Sequence, residues 1–466
     1  SGGGGSVGSA VSDRESGGGV SGGGSDGVSG GGSDGSIGSV SGGGNDGSSG
    51  GSDGDSAGPR PLRVMELFSG VGGLHYAVRL SGAPAAVVAA LDVSDVANAV
   101  YRRNFPRTTL LARSLESLPD AALAALRPDA LVAGPPCQPF ARRGRRLGLD
   151  DRRCAGLARL VALLRRLGPR YLLLENVAGF EGSGARRALH EALDARGGYA
   201  ERQEFLLGPA AVGVPNSRLR YFLVARRGGG PGFQFRAAGG VMNRLPADAE
   251  GGGAPSPLAL LPAGFGAEPW QGGGKEARTA ADWAPPPPPC SYKSDAPAEA
   301  ARKMAQDRDA NVRSLREFLD PDDDDDEAAP RRYARDSLLV PPRVLRRYGR
   351  LLDIVTPDSR RSNCFTGAYG RYVEGSGSVL LADAGANVAA AFREDEEEEG
   401  EEGEERTRRL AALGLRYFSP GEVARIHGFP DGFSFPEGLS LRKRWQLLGN
   451  SVNVRLVAEL LRLTLR

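Results

Sequence analysis

From Leu62 onward, short apolar stretches alternate with segments of helical period, and this alternation constrains the fold more than any other feature of the chain. Val64–Phe68 reads as a strand that feeds the turn Ser69-Gly-Val-Gly-Gly73, with a helix from Leu74. Ala85–Leu91 is a second strand, ending at Asp92. Ala130–Ala133 is another, running into Gly134-Pro-Pro-Cys-Gln-Pro-Phe140. Leu157, Leu160, Val161, Leu164 and Leu167 recur at helix spacing until Gly168-Pro169 stops them. Tyr171–Leu174 is a buried strand leading into Glu175-Asn176-Val177, and Tyr221–Ala225 is a further strand. Strands alternating with helices predict an α/β fold around a parallel sheet, with ligands at the carboxyl ends of the strands.

The flanking composition is of another kind. Residues 1–58 hold 25 glycines in SGGGSDG-like units, too little apolar surface to offset the entropy of ordering, so this tail is expected to be disordered. The chain starts at Ser1, which reads as a processed, truncated or mispredicted start. Residues 228–300 dissolve into Gly, Pro and Ala and read as linker or insertion. Residues 301–352 look helical around the acidic run 320–327, and 360–381 look extended. A second acidic run occupies 394–405. In the last helix, Arg455, Glu459, Arg462 and Arg466 fall on one face, with Val457, Leu460, Leu461 and Thr464 largely on another.

The net charge of +2 conceals this division. Without the tail and the two acidic runs, 388 residues remain with 58 basic and 33 acidic side chains, about +25. A basic body suggests a polyanionic partner, although an arginine-rich coding bias gives the same count. No apolar run is long enough for a membrane span, and the polar N-terminus carries no secretory pattern. Four dispersed cysteines (137, 154, 290, 364) and three histidines make no zinc-ligand spacing, so no metal is expected, and sparse cysteine fits a reducing compartment.

Five short segments carry possible chemistry. The loop Phe68–Gly73 lets backbone approach a ligand closely, and Asp92 suits ribose hydroxyls. Taken alone, a tight turn with a strand-end carboxylate explains both equally well. Cys137 stands between prolines on a rigid loop, as a nucleophile requires, or is a small buried hydrophobe. Glu175 leaves an apolar strand, where desolvation raises a carboxyl pKa and makes it an acid; capping is the alternative. Asn216-Ser-Arg-Leu-Arg220 places Arg218 and Arg220 on one face, toward a phosphate or base edge or simply toward solvent. Gly449-Asn-Ser-Val-Asn453 precedes the final helix and either joins a site or caps the helix.

Together and in this order, the five segments resemble the C5-cytosine methyltransferase family. Phe68–Gly73 resembles its cofactor loop, Pro135–Phe140 its nucleophile loop, and Glu175–Val177 its ENV motif. Arg218 and Arg220 resemble its paired arginines, with Asn216 where the family has Gln, and Gly449–Val454 its last motif. Cys364-Phe-Thr366 is similar to the CFT signature of the small branch that methylates cytosine 38 in the anticodon loop of aspartate transfer RNA. The absence of a large N-terminal regulatory module also fits that branch.

The resemblance implies a Rossmann-like class I S-adenosylmethionine-dependent methyltransferase sheet with a smaller target-recognition domain. It divides the chain into a Gly/Ser-rich tail (1–58), a catalytic domain (59–227), a target-recognition region with low-complexity insertions (228–414) and a C-terminal return to the catalytic domain (415–466). Cys137 would attack C6 of cytosine, Glu175 would protonate N3, and Asn176 would position the loop or base. Arg218 and Arg220 would contact the base or nearby backbone. S-adenosylmethionine would meet Phe68, Val71, Gly72, Gly73, Asp92, Leu115, Glu116, Gly134, Asn450 and Ser451. The implied partner is transfer RNA, with DNA the alternative, for a monomer off the membrane in cytoplasm or nucleus. A non-catalytic RNA-binding protein and a nicotinamide-dependent oxidoreductase are the competing classes; the first would have no need of Cys137, and the second rests on the glycine loop alone. His75, His190 and His427 are expected to be ordinary helix or surface residues, Cys154 and Cys290 to have no site role, and Cys364 shows no physical role in the sequence.

Overall fold

A computed structural model describes residues 60–136, 154–195, 198–229, 232–238, 240–246, 306–321, 335–381, 386–392 and 401–465. The Gly/Ser tail, Cys137 with its loop, Cys290, most of both acidic runs, most of the 228–300 insertion and Arg466 lie outside them.

Eight strands form the main sheet: β1 (Leu62–Leu67), β2 (Ala85–Leu91), β3 (Thr109–Leu111), β4 (Ala130–Ala133), β5 (Tyr171–Val177), β6 (Glu201–Leu207), β7 (Arg220–Arg226) and β8 (Val241–Met242). Their order is β3-β2-β1-β4-β5-β7-β6-β8. β1 runs parallel to β2 and β4, and β4 parallel to β5. β7 enters antiparallel between β5 and β6. Helices α1 (Gly73–Leu80), α2 (Asp95–Asn104), α3 (Asp120–Ala125), α4 (Ala155–Leu167) and α5 (Gly184–Asp194) connect the strands.

The central strands read as unbroken apolar runs because both faces are covered. Tyr171 and Leu173 of β5 enter one core, and Leu172 and Leu174 enter the other, as side chains alternate across the sheet. The α4 stripe Leu157, Leu160 and Leu164 packs on the second face with Leu189 and Leu193 of α5. Gly168, at φ 54, ends α4 in the left-handed conformation, with its N–H bonded to Leu164 O at 3.2 Å.

The remaining described chain builds a smaller sheet, ordered β11-β10-β9, from β9 (Ile354–Val355), β10 (Val379–Leu380) and β11 (Arg416–Tyr417). It carries its own core of Val340, Leu345, Leu352, Leu410 and Leu415, with α6 (Pro342–Tyr348) and α7 (Glu401–Ala412). Then come α8 (Pro420–Ile426), α9 (Leu441–Gly449) and α10 (Val454–Thr464). α10 packs against α1 and joins the first core through Leu456, Val457, Leu460 and Leu461.

Three expectations need correction. Residues 306–321 and 335–352 hold only short helical pieces, the longest being α6, with prolines 341 and 342 at its start. Residues 360–381 are mostly turns with one two-residue strand, because Gly370, Gly375 and Gly377 take positive φ and break extension. On α10, Glu459 is 2% exposed rather than on a solvated face, since Arg462 pairs with it at 2.8 Å and covers it.

The turn segment is held by a buried cation. Arg361 bonds Asp353 Oδ1 at 2.8 Å and Asp307 Oδ2 at 2.8 Å, while Asp307 Oδ1 accepts Arg360 N. Removing one member of such a group leaves uncompensated buried charge. Arg361→Met is therefore expected to lower the unfolding free energy by about 3–5 kcal/mol in urea titration; an unchanged midpoint would contradict this role.

Candidate active site

Strand order reverses at β1, whose neighbours are β2 on one side and β4 on the other. At such a point the loops leaving the carboxyl ends diverge and open a crevice. The loops at those ends are Phe68–Gly72 and Gly134–Pro136, both singled out in the sequence.

The first loop is backbone-defined. Phe68, Gly70 and Gly72 take φ of 58°, 54° and 88°. A Cβ on Gly72 would stand 2.3 Å from the Phe105 ring, and one on Gly73 would stand 2.5 Å from Ser451 Oγ. Glycine here is thus fixed by close approach as well as by φ, and the last motif touches the first. Asp92 secures the loop: Oδ2 accepts Gly70 N at 2.8 Å, and Oδ1 accepts Ser94 N at 2.8 Å. Each carboxylate oxygen keeps acceptor capacity for a hydroxyl. No atom stands within 4 Å of where a Gly70 Cβ would be, so that backbone faces open space. Phe68 and Glu116 converge on Gly156 at the start of α4, and Leu115 is buried beneath. Val93, next to Asp92, holds an apolar side chain 69% exposed, which sequence reasoning passed over. Open backbone, a carboxylate and an exposed apolar side chain together fit a ligand with hydroxyls and a flat apolar base.

Beneath this loop lies a residue the sequence reading missed. Glu66 of β1 is fully buried. Its Oε1 accepts His75 N of α1 at 3.1 Å, and its Oε2 accepts the Tyr101 hydroxyl at 2.8 Å. Tyr101 also meets His75 Nδ1 at 2.7 Å, and the His75 ring stacks on Phe105 with centroids 3.8 Å apart. Burial pushes the Glu66 carboxyl up to about 8 despite the tyrosine and amide bonds, and it pushes His75 down to about 3. The available signal was an acidic residue inside an apolar strand, which demands partners.

The chemical groups gather around β5 and β7. Val177 pairs with Arg220, and Glu175 pairs with Phe222, so Glu175 and Arg220 are diagonal neighbours on one face. Arg220 Nε lies 3.3 Å from Glu175 Oε1. A Cβ on Gly134 would stand 3.6 Å from Glu175 Oε2, so the loop that leads to Cys137 leaves β4 beside this carboxyl. Burial raises the Glu175 pKa, and Arg220 and Arg218 partly oppose that rise. Asn176 is buried; its Oδ1 accepts Val177 N at 2.9 Å, and its Nδ2 meets no partner among the described residues.

Arg218 turns inward. Its guanidinium, 4% exposed with its residue, donates to Phe365 O at 3.2 Å, Gly449 O at 3.1 Å and Ser451 O. Cys364 Sγ lies 3.5 Å from Arg218 Nη1 and 3.9 Å from Arg220 Nη2. Burial alone raises that thiol's pKa, but the two arginines outweigh it and leave the pKa below the ordinary value. Cys364 thus gains a physical role, the soft partner of both guanidiniums. Asn216 Nδ2 bonds Ser362 Oγ and Asn363 O, each at 3.0 Å, fixing the same segment. Asn450 is exposed at the end of α9 with Gly367 against its Oδ1, while Asn453 caps α10 through Leu456 N at 3.0 Å. His427 is buried within α8's end, bonded to Val423 O at 2.9 Å, and His190 pairs with Glu204 at 3.2 Å.

Two titrations test these environments. The native protein holds the Glu66 proton between the ordinary glutamate value of 4.5 and about 8, where the unfolded chain has lost it. That stabilising contribution is complete below the lower value and is lost as pH rises through the upper one. Glu66→Gln, neutral throughout, should therefore gain stability relative to the parent protein between pH 5 and pH 9, read in urea; a constant offset would contradict it. Arg220→Met removes the larger charge opposing burial, so the Glu175 carboxyl should titrate higher still by NMR; a downward shift would contradict the assigned cause.

The family description "C-5 cytosine-specific DNA methylase" matches residues 62–235 and 359–465. A human protein named tRNA (cytosine(38)-C(5))-methyltransferase is 40% identical over 416 residues, covering 86% of this chain and 99% of its own. A Dictyostelium discoideum protein named DNA (cytosine-5)-methyltransferase is 31% identical over 405 residues, covering 86% and 93%. The crystal structure of a Spodoptera frugiperda DNMT2 mutant has a TM-score of 0.62 at 32% identity, covering 86% of this chain and 99% of its own. The sheet with its order reversal, the glycine loop under Asp92 and the Glu175–Arg220 pair beside Gly134 accord with these matches, and the chain belongs to the C-5 cytosine-specific methylase family.

Proposed function

We propose that this protein methylates C5 of a cytosine in transfer RNA, with the anticodon loop of aspartate transfer RNA as its target. The observation that carries the reading is the largely covered Glu175 carboxyl, its side chain 12% exposed, braced by Arg220 and adjoining Gly134, from which the chain enters the Cys137 loop. The relatives named as transfer-RNA methyltransferases at 40% identity and the basic body support an RNA substrate.

The crevice residues fit S-adenosylmethionine: Asp92 for the ribose hydroxyls, Val93 and Leu115–Glu116 on the base side, and Gly70–Gly73 and Ser451 around the loop. When bound there, it supplies the electrophilic methyl that an activated C5 takes. The chain's own work is to activate the ring. Cys137 thiolate forms a bond to C6, and the displaced electron pair moves into the ring. Glu175 delivers a proton to N3, so that negative charge does not remain on the base. Arg220 fixes the direction of Glu175 through Nε. Solvent water takes the C5 proton, the electron pair left on C5 restores the C5–C6 double bond and expels Cys137 as thiolate, and N3 returns its proton to Glu175. A base in a loop leaves its stack at lower cost than one in a duplex, which favours an anticodon-loop target.

DNA is the second reading, favoured by the Dictyostelium relative's name. Incubation with labelled S-adenosylmethionine separates the two. Label is expected in unmodified aspartate transfer RNA as 5-methylcytosine; label in duplex DNA with none in the transfer RNA would overturn the proposal. Glu175→Gln should lower kcat by about 10²–10⁴ while S-adenosylhomocysteine still binds, and Cys137→Ala should abolish transfer.

A further inference from the structure

The CFT segment opens into a closed loop whose tip presents an aromatic side chain to solvent. Thr366 N bonds Ser376 O at 3.2 Å and closes the base of the loop. Phe365, immediately before it, gives its carbonyl to Arg218. The backbone at Thr366 and Gly367 lies so close to α9 that a Cβ on Gly449 would stand 2.1 Å from the Thr366 carbonyl carbon. The base of the loop is therefore part of the site that holds Cys364, Arg218 and Arg220.

The body of the loop is fixed from below. Tyr369 points inward, 3% exposed, donates its hydroxyl to Ser378 O at 2.7 Å and accepts Phe418 N at 2.9 Å. Gly370, at φ 73, passes over Trp445, where a Cβ would stand 2.6 Å from the indole. Arg371 N and Tyr372 N both bond Ala368 O, and Ser376 Oγ bonds Tyr372 O. On this anchored turn, Tyr372 is 58% exposed, the one aromatic among the large apolar side chains left exposed in the described residues. Arg371 lies over its ring at 4.8 Å from the centroid and donates to its hydroxyl at 3.0 Å. The hydrogen bond and ring contact from Arg371 hold the Tyr372 ring in place, and the cation beside it adds attraction for a phosphate. Rigid, exposed aromatic faces beside arginine are how unpaired bases are held, because every base offers a flat face whatever its sequence. Tyr372 lies six positions after Thr366, so its Cα stands within about 20 Å of the site's edge.

We infer that Tyr372, backed by Arg371, is a stacking platform for an unpaired nucleobase of the RNA flanking the target cytosine, holding the loop open once that cytosine has left its stack. The inference rests on the RNA reading above. Such platforms change RNA affinity by about 5–150-fold on removal.

The test uses the full chain and unmodified aspartate transfer RNA, with binding followed by anisotropy and transfer by label. Tyr372→Ala and Tyr372→Leu should weaken binding at least about tenfold, Tyr372→Phe and Tyr372→Trp by less than about threefold, all with unchanged S-adenosylhomocysteine affinity and thermal midpoint. Anticodon stem-loops with an abasic nucleotide on one side of the target cytosine should weaken the parent protein equally and cost Tyr372→Ala nothing further. Parent-like binding by Tyr372→Ala, or additive losses with every abasic position, would overturn the platform while label transfer leaves the RNA reading standing. Absence of transfer to the transfer RNA by the parent protein would remove both.

Discussion

The structure around the reacting groups depends on one buried cation, Arg218. Removing a guanidinium from water costs several kcal/mol, and only well-placed acceptors offset it. Here the acceptors are backbone carbonyls from two distant stretches, Phe365 on one side and Gly449 and Ser451 on the other. Arg218 therefore joins the entrance to β7, the CFT segment and the turn before α10, and Asn216 adds a second tie between the first two. Ser451 in turn touches Gly73 of the glycine loop. Arg218 thereby links the side of the glycine loop to the CFT segment.

Two desolvated carboxyls, Glu66 fully buried and Glu175 partly exposed, show how environment divides roles. Glu66 is surrounded by a neutral tyrosine and histidine, with no arginine in direct contact, so burial sets its pKa near 8. It serves the start of α1 and hence the geometry of the glycine loop. Burial raises the Glu175 pKa too, but Glu175 stands against Arg220, and the charges of Arg220 and Arg218 oppose that rise. A carboxyl drawn both ways is suited to pass a proton to a ring nitrogen, whereas Glu66 is suited to keep one.

Much of the catalytic sheet was legible. Five strands and α4 emerged from apolar runs and helix spacing because burial on both faces leaves a strong local signal, and β2 and β4 fell on the bounds read from sequence. The glycine loop and Asp92 were legible since strand-end placement follows from topology. Glu66 was not, because its partners Tyr101 and His75 come from other elements and leave no periodic trace. The inward direction of Arg218 was hidden for the same reason: its partners are carbonyls, which every residue has. The segment 360–381 misled because its β-branched and aromatic residues suggest strands, while the positive φ of its glycines imposes turns. α10 looked amphipathic, but the Glu459–Arg462 pair lets a charged face enter the core.

The first acidic run lies between the two segments that the family description matches and the second lies within the later one; without both runs and the tail, the rest of the chain is strongly basic. The proposed chemistry makes Cys137, not Cys364, the residue that bonds to cytosine. Cys364 is the alternative because its thiol pKa is lowered and it lies against both arginines. Aspartate transfer RNA carrying 5-fluorocytosine at the target position blocks the final loss from C5 and traps the adduct. With S-adenosylmethionine present, peptide mass spectrometry should find the nucleotide on Cys137, beside the transferred methyl. A nucleotide found on Cys364, or no adduct from a protein that methylates the normal RNA, would contradict the account.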